Sequence, residues 1–131
     1  MTAASERVNI AARTTAEKML EMFGGETLTV VLRPVEPEGD AGELGEATNV
    51  AVSLDIADVY AHATASGWEL LMKADAVEDA MEKIGVLGAA ELFAQCVQLR
   101  IAGRVLLPQR VVEVPAGGAA YLYRLTAKES A

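Results

Sequence analysis

Apolar side chains recur at Ala16, Met19, Leu20 and Phe23, the i, i+3, i+4, i+7 stripe of an amphipathic helix. Thr14 with Glu17 reads as a capping box, and Gly24 and Gly25 as a stop, so the pattern predicts a helix over residues 14–24. From Thr27 to Arg33 the period changes to two, with Leu28, Val30 and Leu32 on one face, until Pro34 removes a ladder donor. Alternation returns at Val50, Val52 and Leu54, which predicts two antiparallel strands joined across a long intervening segment. Residues 55–65 fit two states. Ile56, Val59 and Tyr60 suit a helical turn, whereas Val59, Ala61, Ala63 and Ala65 alternate. Trp68 to Met72 reads as a short buried strand. Val77, Ala80, Met81 and Ile84 draw a second helical stripe from Asp75 to a stop at Gly85, with Glu78, Asp79 and Glu82 on its other face.

The C-terminal strands fall within residues 95–127. Val97, Leu99 and Ile101 alternate up to a turn at Gly103. Two runs, Arg104 to Leu107 and Arg110 to Val114, are separated by Pro108. Pro115, Ala116, Gly117 and Gly118 form a turn into a last strand, where Tyr121, Tyr123 and Leu125 share one face and Leu122 takes the other. Short, closely spaced strands give a mostly β, α+β fold: a small antiparallel β-barrel or rolled sheet with an N-terminal helix and one further helix, in one domain.

The length of 131 residues and the 52% hydrophobic content fit one soluble core and exclude a disordered chain. No run approaches the roughly 18 apolar residues of a membrane span, no export signal is visible, and Cys96 is the one cysteine, which together predict an intracellular protein without disulfides. The net charge of -8 is unevenly spread. Residues 1–35 are neutral, residues 36–91 hold 13 acids against Lys73 and Lys83, and residues 97–128 hold five bases against Glu113. This division fits ordinary solvated surfaces, and it also fits charge-complementary contact between copies. Acids dominate overall, which argues against tight binding of DNA or RNA.

Residues 34–47 form the acidic segment. It carries Glu36, Glu38, Asp40, Glu43 and Glu46 with few large apolar side chains, and it reads as a loop that is either functional or disordered. Chemistry is sparse elsewhere. His62 has no nucleophile or second His at a motif distance, and Cys96 lies in a strand-like run where a thiol packs as a small apolar group. Neither glycine pair matches a phosphate-cradling motif, and paired carboxylates are too common among 19 acids to mean anything. Trp68, Tyr121 and Tyr123 read as core or interface aromatics. No catalytic residue, cofactor or metal ligand is expected.

Two segments resemble a known family. TAEKMLEMFGGETLTVVLRP (Thr15 to Pro34) is similar to the opening of tailed-phage head-tail joining proteins, the head-closure or stopper family of the neck. VQLRIAGRVLLPQRVVEVPAGGAAYLYRLTAK (Val97 to Lys128) resembles that family's closing half: a strand, a glycine turn, then two strands around a glycine hairpin. The middle, residues 55–95, departs from the pattern by its length and helical content, and the family's Gly-Asp before the penultimate strands is absent.

The resemblance implies a small barrel with an N-terminal helix and a non-enzymatic virion protein. It would form a homo-oligomeric ring between the portal or adaptor and the tail, through which DNA passes without being tightly bound. The five acids of residues 34–47 would then suit a channel-facing loop, because carboxylates repel phosphate. Met19, Leu20, Met22 and Phe23 are the expected docking helix, meeting the barrel or a neighbouring subunit. Another neck or tail component such as a tail terminator, a small intracellular ligand-binding β-barrel with Trp68 and the tyrosines in its pocket, and an unrecognised enzyme are the alternatives.

Overall fold

The structure is a computed structural model and describes residues 2–33 and 52–130. The chain runs α1 (Ala3–Phe23), β1 (Glu26–Leu32), β2 (Ser53–Thr64), β3 (Gly67–Lys73), α2 (Ala74–Ile84), α3 (Ala89–Ala94), β4 (Cys96–Ile101), β5 (Arg104–Ala116) and β6 (Ala119–Glu129). The six strands close into an antiparallel barrel in the order β1-β2-β3-β6-β5-β4, with β4 returning to pair with β1. This is the expected α+β barrel. Closure gives each strand a partner strand on both sides, although β5 meets β4 only over Arg104–Leu106.

The barrel interior is filled by its own side chains. Leu28, Val30, Ile56, Val59, Leu70, Met72, Leu99, Leu106 and Leu125 are all fully buried. Val77 of α2 and Leu92 and Phe93 of α3 join the same apolar cluster. The α2 expectation holds, down to Gly85, whose left-handed backbone (φ 85°) lets its amide reach the Met81 carbonyl. α3 was not expected.

Residues 55–64 resolve as strand, and the bulge within them explains their double pattern. Asp58 has a positive φ of 56°, and the β1–β2 register shifts between Glu26 and Leu28. The extra residue turns both Ile56 and Val59 inward although they sit three apart, a spacing that mimics a helix.

Three further expectations are corrected. First, α1 starts at Ala3, capped by Thr2, whose hydroxyl accepts from the Ser5 amide at 3.1 Å. Thr14 lies in mid-helix, where its hydroxyl donates back to the Ile10 carbonyl at 2.9 Å, because the capping-box spacing is also that of one turn within a continuing helix. Second, Pro108 does not divide the strand. β5 runs through it with a register shift between Pro108 and Arg110, so a bulge absorbs the missing donor. Third, Pro115 and Ala116 belong to β5, and the turn is Gly117–Gly118 alone, both at positive φ.

Among the described residues, no helix is long and apolar enough to cross a membrane.

Candidate subunit-docking surface

β3 positions the surface. Leu70 and Met72 point into the barrel, so Leu71 between them points outward, half-buried beneath α1. The helix lies along the outer face of β2, β3, β5 and β6. Only Asn9, Ala16 and Leu20 of α1 are buried, so polar contacts carry much of its attachment.

Asn9 donates from Nδ2 to the carbonyls of Ala116 and Ala119, both at 2.9 Å, at the β5–β6 turn. The helix comes so close to this turn that a Cβ on Gly117 would collide with the Ser5 carbonyl oxygen. One turn further along, Arg13 donates from Nε to the Ala120 carbonyl at 3.1 Å and from both Nη atoms to Glu78 at 2.8 and 2.9 Å. It also reaches Asp75 at 2.5 Å. The hydrogen-bonded Glu78 carboxylate, opposed by partial burial and helped by Asp75, raises the guanidinium pKa above its already high value.

Around this clamp the charges are coupled. Glu17 holds its proton to higher pH than an ordinary glutamate because it lies against the Asp75 carboxyl, and the same contact, with Arg13, holds Asp75 below the usual carboxylate range. Lys73 pairs with Asp58 at 2.8 Å, which raises its pKa. The bulge at Asp58, the start of α2 and the inner flank of α1 are thereby tied into one polar seam.

The expected docking residues divide. Leu20 is buried against its own barrel, while Met19, Met22 and Phe23 are 54%, 75% and 63% exposed. Val8, Ala12, Thr15, Met19 and Phe23 follow the i, i+4, i+7 rule along one flank. Between this flank and the sheet runs an open apolar groove of about 670 Å³, lined by Ala12, Thr15, Met19, Leu71, Tyr121 and Leu122 among others. It continues past Met19 into a second hollow of about 330 Å³, bordered by Phe23 and Tyr60. Tyr121 contributes because the β5–β6 register shifts between Val114 and Pro115, so it lines the outer groove with Leu122 while Tyr123 and Leu125 stay buried. The expected shared face of the three breaks at Tyr121.

The other candidates are placed separately. His62 Nε2 lies 2.9 Å from Glu69 Oε1, with its ring against Tyr60. Cys96 is buried and donates to the Gln98 carbonyl at 3.1 Å, and burial pushes its thiol pKa up, the opposite of an activated nucleophile. Arg104 stacks over Trp68 at 4.8 Å and pairs with Glu129. Burial likewise raises the Tyr123 hydroxyl. Glu36, Glu38, Asp40, Glu43 and Glu46 lie outside the described residues.

The closed strand order sets charge against charge across the barrel. β1 and β2 lie opposite β6 and β5 in the ring of strands. Exposed Glu26 and Asp55 stand on the first pair, with Asp79 of α2 beside Asp55, although α2 as a whole packs against β2, β3 and β6; exposed Arg110, Arg124 and Lys128 stand on the second, beside Arg100 on β4. Glu113 on β5 and Glu129 on β6 are the exposed acids among them, the latter paired with Arg104.

Sequence reasoning missed Asn9, Arg13 and Leu71. A polar residue in an alanine-rich helix and one leucine in a short apolar run carry no signal of the contacts they make. Comparison with protein-family models, curated proteins and solved structures finds no match for this chain.

Proposed function

We propose that this chain is a non-enzymatic structural subunit that works by surface contact with copies of itself and with other virion proteins, in a ring at the head-tail junction of a tailed phage. The observation that carries the reading is the exposed apolar surface of α1: Met19 and Phe23 stand exposed beside the open groove, and Met22 on the outer edge, on a helix whose attachment is already satisfied by Asn9, Arg13 and Leu20. Exposed apolar surface of this kind marks an interface. Two further features support it. The barrel with an N-terminal helix is the architecture that the resemblance implies, and opposed charge across the strand ring suits head-to-tail contact between copies.

Leu28, Ile56, Leu70, Met72, Leu99 and Leu125 fill the barrel interior, which supports the subunit reading over a ligand held inside the barrel. In the neck reading, the ring joins the portal or adaptor to the tail and lets DNA pass.

Negative-stain imaging of the protein with portal-bearing heads tests this. Rings seated on the portal vertex, and loss of packaged DNA from heads lacking the protein, are expected. Rings found on tail ends instead would assign it as a tail terminator. A monomer that binds neither heads nor tails at high concentration would overturn the reading.

A further inference from the structure

Leu87 is 93% exposed, more than any other large apolar side chain among the described residues. It stands in the link between α2 and α3, between Gly85, which ends the first helix, and Gly88, the N-cap of the second. Both sides of the link are anchored: Val86 packs against the core, and Ala89 and Leu92 are buried within it. A leucine held out to water by an anchored backbone loses little additional freedom when a partner covers it. Glu82 in the last turn of α2 and Glu91 in the first turn of α3 flank it, with Lys83 the single base between them.

The groove beneath α1 offers the opposite surface: its lining is largely apolar, and basic side chains stand near it on α1 and β6. Arg7, Ala11, Lys18 and Met22 form one line along the outer edge of the helix, and Arg124 is the cross-strand neighbour of Leu71 on the groove floor. All three α1 acids, Glu6, Glu17 and Glu21, lie on the opposite flank with Arg13, which faces α2. The groove therefore opens away from the molecule's own α2.

We propose that the α2–α3 link of one copy docks into the α1 groove of the next, with Leu87 as the inserted side chain and Glu82 and Glu91 set against Arg7, Lys18 and Arg124. The proposal rests on the reading of the chain as a ring subunit and names the surfaces that would meet. Because knob and groove are different surfaces, the contact is heterologous: an open series always leaves one knob and one groove free at its ends, and it ends only by closing on itself. A symmetric groove-to-groove dimer would instead bring two sets of Arg7, Lys18 and Arg124 together, which like-charge repulsion opposes.

Cysteine cross-linking tests the contact. In a Cys96→Ala background, the double variant Thr15→Cys/Leu87→Cys, oxidised at high concentration, should give a ladder of dimers, trimers and larger species. An equal mixture of the two single variants should stop at dimers. In parallel, Leu87→Asp and Met19→Asp in the otherwise native chain should each weaken self-association, followed by sedimentation, by at least about tenfold. A double variant yielding no more than the singles overturns the contact, as do Asp variants that assemble like wild type. If wild-type rings still form in that case, the ring reading survives and only this interface falls. If neither rings nor a ladder appear, both fall.

Discussion

Arg13 and Glu78 form a two-bonded pair, Nη1 to Oε1 at 2.9 Å and Nη2 to Oε2 at 2.8 Å, that fixes α1 to α2 across the top of β6. The planar guanidinium also serves the Ala120 carbonyl, a geometry that a point-charged ammonium does not reproduce. Arg13→Ala should lower stability by about 1–2 kcal/mol, a figure reduced for the partial exposure of Glu78 and Asp75, and Arg13→Lys should recover less than half of it. Urea denaturation of the three proteins checks this. Equal stability for the Lys variant and wild type would show that charge alone, without the fork, holds the helix.

Asn9 is the one buried polar side chain among the described residues, and its amide answers carbonyls of the β5–β6 turn. Asn9→Leu should cost about 1–3 kcal/mol, because at least two carbonyls lose their donor. Gly117→Ala should act on the same joint from the other side, through the positive φ of 63° and the collision with Ser5. Hydrogen exchange gives the clearer reading: both variants should speed exchange of α1 amides while leaving β1–β4 amides protected. Uniform loss of protection would mean that α1 and the barrel unfold as a unit.

Leu20 and Met22 should behave oppositely although two positions apart. Leu20→Ala opens a space against Leu71 and should cost about 2–3 kcal/mol. Met22→Ser and Phe23→Ser should change stability by less than about 0.5 kcal/mol, since their side chains already face water. Thermal unfolding measures both. A large loss at Met22 would place that side chain in the fold's own packing and remove it from the docking flank.

The Glu17–Asp75 contact gives a pH dependence of definite sign. Glu17 has its pKa raised in the folded state, so its contribution favours folding below its ordinary value, near 4.5, and is lost as pH rises through the folded value. At neutral pH its charge presses on Asp75 and Glu21. Glu17→Gln should therefore be slightly more stable than wild type at pH 7, with the advantage shrinking as pH falls through the raised folded value of Glu17 and gone below about 4.5, where Glu17 is protonated in both states. Asp75 works in the other direction: its lowered pKa gives stability above about 3.8 that is lost as pH falls through the folded value. Denaturant melts of both proteins across pH 3–8 test the sign; a Gln variant less stable at pH 7 would contradict it.

The periodic parts of the chain were legible in the sequence. Leu28, Val30 and Leu32 each face the core as their spacing requires, and Val77 and Ala80 bury the stripe that defines α2. Burial follows period directly wherever one face of an element meets one environment. The sequence likewise determined that α1 exists and carries more apolar surface than one contact needs.

Tertiary pairing decided the rest. Ile56 and Val59 reach the same core only because the bulge at Asp58 inserts a residue against β1, and no local pattern reveals a partner strand's register. The length of α1 was hidden for a related reason. Its first half buries only Asn9, held by backbone carbonyls more than a hundred residues away, so no apolar stripe announces it. The groove depends on Leu71 from β3 and Tyr121 and Leu122 from β6 meeting Met19 from α1. Barrel closure brings those segments together, and a one-dimensional pattern holds residue spacing but not which distant faces will touch.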